Sequence, residues 1–192
     1  MIIKTASSEN ASLIADAILE AIGTDITNSL AGENSSPQEV HDIFERLAKR
    51  NDSQYSYLNT RIAMTDDGTP MGVCISYDGA DLKRLRRPFF YEANTILGWG
   101  ISDEDIETLP GETEPDEFYL DTIMVLPQFR GQGVAKALIA DAKSKADTIG
   151  KPLGLLCDTD NSRAYRLYEA VGFKKVGQRP FAGHLMNHLL WE

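Results

Sequence analysis

The chain has 192 residues, of which 42% are hydrophobic and 25% charged, the profile of a globular domain with room for a real core. Its formal net charge of −10 argues against a general nucleic-acid surface, because phosphate backbones require a basic field, and mildly favours a cationic or neutral ligand. The two cysteines, Cys74 and Cys157, lie in apolar runs with no metal-ligand spacing, and no leader-like or membrane-length apolar stretch is present; buried reduced thiols, no metal, no membrane and a cytoplasmic setting are therefore expected.

In chain order, Ile2–Thr5 reads as a short strand. Leu13, Ile14, Ala17, Ile18, Ala21 and Ile22 then recur with helical period until Gly23. Thr24 to Ser35 is polar and reads as a loop. Ser36-Pro37-Gln38-Glu39 is a helix start: a cap, a proline at the first helical position and a glutamate three after the cap, followed by the stripe Val40, Ile43, Phe44, Leu47. His41 falls off that stripe and reads as a solvated histidine. Two strands, Tyr55–Met64 and Pro70–Tyr77, flank a hairpin turn at Thr65–Thr69. Gly72 within the second suggests a bulge or a close backbone approach.

The stretch from Tyr77 to Glu117 is the least regular. Asp81–Arg87 reads as a short helix stopped at Pro88, and Phe89–Leu97 as another helical piece. Trp99–Glu117 is acidic, carries Pro110, Gly111 and Pro115, and holds one helical turn near Asp103–Leu109. It is either a wall of a pocket or a solvated insertion. Tyr77, Asp81, Arg84, Arg87 and Tyr91 are its candidates for shaping a binding site.

Phe118–Val125 is an apolar strand interrupted by Asp121, and it leads into Pro127-Gln128-Phe129-Arg130-Gly131-Gln132-Gly133 and an amphipathic helix from Val134. A glycine-bearing turn between a strand's end and a helix's start aims main-chain N–H groups at one spot and suits a phosphate. Arg130 adds a cation there. The turn lacks the G-x-x-x-x-G-K-[ST] run of a P-loop, and Lys136 stands where a dinucleotide fingerprint needs a third small residue. Leu153–Cys157 is a near-continuous apolar strand suited to a sheet centre. Asn161 caps a helix over Ser162–Val171, Gly172 ends it, Phe173–Val176 is a strand, and His184–Trp191 is the last strand. No repeat and no domain boundary is visible, so a single domain over 1–192 is expected.

The Gln128-x-x-Gly131-x-Gly133 loop resembles the acyl-CoA-binding loop of the GCN5-related N-acetyltransferase (GNAT) superfamily. Downstream, Asn161, Ala164, Leu167, Tyr168, Gly172 and Phe173 match that superfamily's Asn-x-x-Ala-x-x-Leu-Tyr-x-x-x-Gly-Phe signature at all its defining positions, in the right order after the loop. The resemblance is close over roughly 116–192, with an acyl-CoA-binding core at about 116–178, and extends to the N-terminal half only as a pattern of elements.

The resemblance implies a mixed α/β GNAT fold, a twisted mixed sheet of about seven strands with helices on both faces. It implies transfer of acetyl from acetyl-CoA to a primary amine by direct attack, without an acyl-enzyme. Arg130, Gly131, Gln132, Gly133, Val134 and Ala135 would hold the pyrophosphate. The backbone of Ile123, Met124 and Val125 would pair with pantetheine where two parallel strands splay, with Asn161 contributing. Tyr168 would protonate the leaving thiolate. Strand alternation places Glu117, Tyr119, Asp121, Ile123 and Val125 on one face, a bulge aside. Asp121 is the candidate base or substrate anchor, or else one half of a structural ion pair; Glu117 is a weaker candidate, and a water chain is the alternative to both. His184 and His188 flank an expected acceptor pocket. The acceptor is a small-molecule or peptide amine, and a homodimer is left open. A non-catalytic CoA-binding module and a transferase of another acyl group are the rivals.

Overall fold

The computed structural model describes residues 1–192. Its strands are β1 (Ile2–Thr5), β2 (Thr60–Met64), β3 (Pro70–Asp78), β4 (Phe118–Val125), β5 (Leu153–Asp158), β6 (Lys174–Phe181) and β7 (His184–Trp191). Its helices are α1 (Ala11–Ala31), α2 (Pro37–Lys49), α3 (Leu82–Leu85), α4 (Arg87–Leu97), α5 (Asp103–Thr108), α6 (Val134–Thr148) and α7 (Ser162–Val171). The strands form one sheet of seven in the order β1-β2-β3-β4-β5-β7-β6. Every neighbouring pair is antiparallel except β4 and β5, which run parallel.

Two apolar layers cover this mixed sheet. On one face α1 and α2 bury Ile14, Ile18, Ile43, Phe44 and Leu47 against Ile62, Val73, Ile75 and Met124. On the other, α6 and α7 bury Val134, Leu138, Ile139 and Tyr168 against Cys74, Leu120, Leu153 and Leu155. Each large side chain so buried contributes roughly 1.5–3 kcal/mol. Gly72 is where α6 comes closest to the strands: a Cβ there would stand 2.7 Å from the Met124 carbonyl oxygen and 3.2 Å from Val134. The close approach expected from this glycine is present, and Met71 beside it is bulged out of the β2–β3 register.

Caps explain the helix starts. The Ser36 hydroxyl accepts the Glu39 N–H, and the Glu39 carboxylate accepts the Ser36 N–H at 2.8 Å. Ser102 and Asp105 repeat the device at α5. Three expectations need correction. Gly23 does not end the first helix; it kinks it at φ 78°, and the helix resumes through Ala31, held by the Thr27 hydroxyl on the Gly23 carbonyl at 2.8 Å. Ile26, Leu30 and Ala31 restore the apolar stripe that the polar residues around them obscured. Pro88 does not stop a helix but sits in the first turn of α4, where its missing N–H is harmless. His41 is not solvated: its ring is 15% exposed, with Nε2 3.3 Å from Asp16 on α1. Boundaries also move: β2 begins at Thr60 after a 3-10 turn at Tyr57–Asn59, and β6 continues to Phe181.

Candidate active site

The parallel pair β4–β5 is joined over only two residue pairs, Phe118 with Leu153 and Tyr119 with Gly154. Beyond them the strands part, leaving Leu120–Val125 facing Leu155–Asp158 across an opening. The register of β4 with β3 is regular from Thr122 to Val125, and Leu126 N–H donates to Met71 of β3 at 3.0 Å. Strand alternation therefore turns the main-chain groups of Ile123 and Val125 the other way, into the opening. The Val125 carbonyl accepts from Arg130 Nε at 3.0 Å.

At the end of β4 the chain makes its glycine turn. Gly131 and Gly133 have φ of 76° and 83°, values strained for any residue with a Cβ. The first main-chain bond of α6 is Ala137 N–H to the Gly133 carbonyl, so the N–H groups from Gly131 to Lys136 find no carbonyl in the turn before them. Together with the positive end of a 15-residue helix, they make a cradle of the kind that suits an anion.

One cleft of about 920 Å³ joins the cradle, the strand opening and α7. Of the residues expected at the donor site, Ile123, Met124, Val125, Arg130, Gly131, Gly133, Val134, Ala135, Asn161 and Tyr168 all line it. Gln132 does not; its amide turns back onto the Gln128 carbonyl. Arg130 is already engaged, with its guanidinium 2.8 Å from Glu20 of α1. Asn161 caps α7 by accepting the Ala164 N–H at 3.1 Å. Tyr168 is 8% exposed, and burial pushes its phenol well above the ordinary value, so it keeps its proton at any working pH. Cys157 also lines the cleft, but burial pushes its thiol up to about 11; the same cause takes Cys74 to about 12, and neither is an activated nucleophile.

The expected face of β4 is overturned by a bulge. Ile75 pairs with Thr122 and Ser76 with Leu120, so Asp121 is the extra residue. Ile123 and Val125 pack on the α6 side, whereas Tyr119 packs with Tyr77 on the opposite side, and Asp121 bonds to that same tyrosine. Asp121 accepts from Tyr77 Oη at 2.9 Å, from Thr122 Oγ1 at 2.8 Å and from Gln54 Nε2 at 3.5 Å. Burial, and then the charge of Glu112, push its carboxyl up to about 6. It lines the cleft with Glu112, Tyr55 and Tyr119, and no cation touches it.

The second acid candidate does not join it. Glu117 is outside the cleft, buried with its carboxylate 2.9 Å from His188 Nε2 and 3.2 Å from the Thr113 hydroxyl. His188 is thereby tied up as well, while His184 lines the cleft and pairs with Asp158 at 2.7 Å. Asp81 pairs with Arg84 on the surface, and Arg87 and Tyr91 both contact Asp103; none of these reaches the cleft. Glu112, Gln54 and Tyr55 were missed by sequence reading. The only hint was Gly111-Glu112-Thr113 pinned between Pro110 and Pro115, a constrained loop within an acidic run.

A family model described as the acetyltransferase (GNAT) family matches residues 24–173. The chain belongs to the GNAT acetyltransferase family. The chain superposes over its full length on a solved acetyltransferase structure, with a TM-score of 0.77, 30% identity and 99% of that chain covered. A Staphylococcus aureus Mu50 N-acetyltransferase shares the fold at a TM-score of 0.76 and 23% identity, over 99% of this chain and all of that one. The N-alpha-acetyltransferase RimI of Mycobacterium tuberculosis is 38% identical over 69 residues, 36% of this chain and 42% of that protein. The chain spans no more than half the length of the curated relatives it matches. In this GNAT chain no group of His, Cys, Asp and Glu is placed to hold a metal ion, and no helix is long and apolar enough to cross a membrane.

Proposed function

We propose that the protein is an N-acetyltransferase that moves the acetyl group of acetyl-CoA to a primary amine, on a small molecule or a peptide, by direct attack within a ternary complex. The observation that carries this reading is the convergence of three features on one cleft: the unpaired N–H cradle, the opening between β4 and β5, and the Tyr168 hydroxyl. The cradle suits a pyrophosphate. The opening offers the main chain of Ile123 and Val125 to an extended amide-bearing arm, which would complete the ladder as an added strand.

The proton inventory then falls to named residues. Asp121 takes one proton from the incoming ammonium and passes it to solvent. The freed nitrogen lone pair forms the new C–N bond at the thioester carbon, and a β4 N–H, from Ile123 or Val125, donates to the oxygen as it gains charge. As the C–S bond breaks, Tyr168 gives its phenolic proton to the sulfur and recovers one from the new amide nitrogen. The amine loses two protons: one ends on the thiol and one in solvent. The two cysteines take no part.

Release of thiol from acetyl-CoA across an amine panel tests the reading. Wild type should turn over in an amine-dependent way, and Tyr168→Phe should lose about 10²–10⁴-fold in kcat. Full activity of that variant across the pH range would remove Tyr168 as the acid. Acetyl-CoA binding without amine-dependent thiol release would favour a binding module instead.

A further inference from the structure

Two carboxylates on the acceptor side of the cleft share their hydrogen-bond donors. Tyr77 Oη stands 2.9 Å from Asp121 Oδ2 and 3.0 Å from Glu112 Oε1. Gln54 Nε2 spans the same two oxygens, at 3.1 Å from Glu112 and 3.5 Å from Asp121. An amide has two hydrogens and can serve both acceptors. A phenol has one. One of the two short Tyr77 contacts therefore lacks a hydrogen unless a carboxyl group supplies it, and both carboxylates cannot sit ionised against one phenol without repulsion.

The scaffold holds this arrangement firmly. Glu112 is 7% exposed and Tyr77 2%. The buried Arg86 fastens the segment leading to Glu112 by donating to the carbonyls of Ile106, Leu109 and Pro110. Gln54 is fixed in turn by its N–H on the Leu85 carbonyl at 2.9 Å. The cations that line the cleft, Arg130, Lys136 and Arg163, all stand on the glycine turn, α6 and α7, at the opposite end.

We infer that Glu112 is a positioning and specificity residue for Asp121, acting through Tyr77, and that the pair selects acceptors arriving as alkylammonium ions without an adjacent acid group. The inference rests on the acetyl-transfer reading for its substrate but not for its geometry. A seat of two carboxylates that hold at most one proton between them is anionic and matches an ammonium. It has no cation to receive a carboxylate or phosphate beside the reacting nitrogen, so a free α-amino acid is disfavoured where a diamine is accepted. The groups facing Asp121 are Glu112 and Gln54 from loops, Tyr77 from β3, and Tyr119 and Thr122 from its own strand, with Tyr55 nearby. Among them Glu112 opposes ionisation of Asp121, and the hydroxyls and the Gln54 amide favour it.

Glu112 and Tyr77 therefore act on Asp121 in opposite directions, which a merely structural role would not do. Titrating the Asp121 carboxyl by NMR on aspartate-labelled protein should show a midpoint lowered in Glu112→Gln and raised in Tyr77→Phe, each by about half a unit or more. Turnover of 1,3-diaminopropane against glycine should favour the diamine in wild type, and the preference should shrink about tenfold in Glu112→Gln. Midpoints that stay put, or move together, overturn the coupling; an unchanged preference overturns the selectivity. If no amine is turned over yet the opposite midpoint shifts appear, the coupling stands and the acetyl-transfer reading falls.

Discussion

The two ends of the cleft are built on different principles. The end proposed for the donor, from Ile123 through the glycine turn to Ala135, presents main-chain groups, and its shape follows from a strand, two left-handed glycines and a helix that are contiguous in sequence. The end proposed for the acceptor relies on side chains: Glu112 and Asp121 line it and Gln54 and Tyr77 hold them from behind, four residues from separate segments that meet only in the folded chain. A main-chain site tolerates side-chain change as long as its conformation survives. A side-chain site tolerates almost none, yet it can be retuned one residue at a time.

The largest effect expected from breaking this contrast is at the acceptor end. Asp121→Asn keeps the shape and removes the proposed proton acceptor, so kcat should fall by about 10²–10⁴ with the KM for acetyl-CoA little changed. In wild type the acidic limb of the rate profile should follow Asp121 and rise through about pH 6. At the donor end, Gly133→Val forces a β-branched residue to φ 83°. The strain costs about 1–2 kcal/mol, and the added side chain crowds the cradle. Acetyl-CoA affinity measured by calorimetry should fall at least tenfold, and acceptor selectivity should not move.

A smaller effect couples function to stability. Asp121 titrates at about 6 in the folded chain against an ordinary 3.8, so between those values the folded state holds more protons than the unfolded state. Stability therefore falls as pH rises from about 4 through about 6 and is flat above. Asp121→Asn removes that penalty and should stabilise the protein at pH 8 by at most about 3 kcal/mol, read by denaturant unfolding. The smallest effect is remote from both ends: Ser36→Ala should cost about 1 kcal/mol through the lost α2 cap and leave kinetics intact.

The same contrast decides what could be read from sequence. The glycine turn and the Asn161 cap were legible because short-range spacing specifies them; Tyr168 was singled out by the family resemblance, since its position alone reads as a core aromatic. The splay of β4 from β5 was expected from the family resemblance alone and is present as two paired residues followed by an opening. The bulge at Asp121 was not legible, because alternation gives no sign of where an extra residue enters, and it moved Ile123 and Val125 to the other face from Asp121. Glu112 was hidden for a different reason. Between acidic neighbours a buried glutamate and a solvated one look alike until the chain closes over one of them. Glu117, a weaker base candidate by strand alternation, is buried outside the cleft, beside His188 of β7 and bonded by the Thr113 hydroxyl.

Strand β6 is the outermost strand of the sheet, beyond β7. Its free edge invites a strand from another molecule. Yet Pro180 offers no N–H, the pairing slips at Val176 between Lys175 and Gly177, and Lys174 and Lys175 stand exposed. Each of these works against a second copy continuing the ladder in register. These features blunt the β6 edge as a template for strand addition.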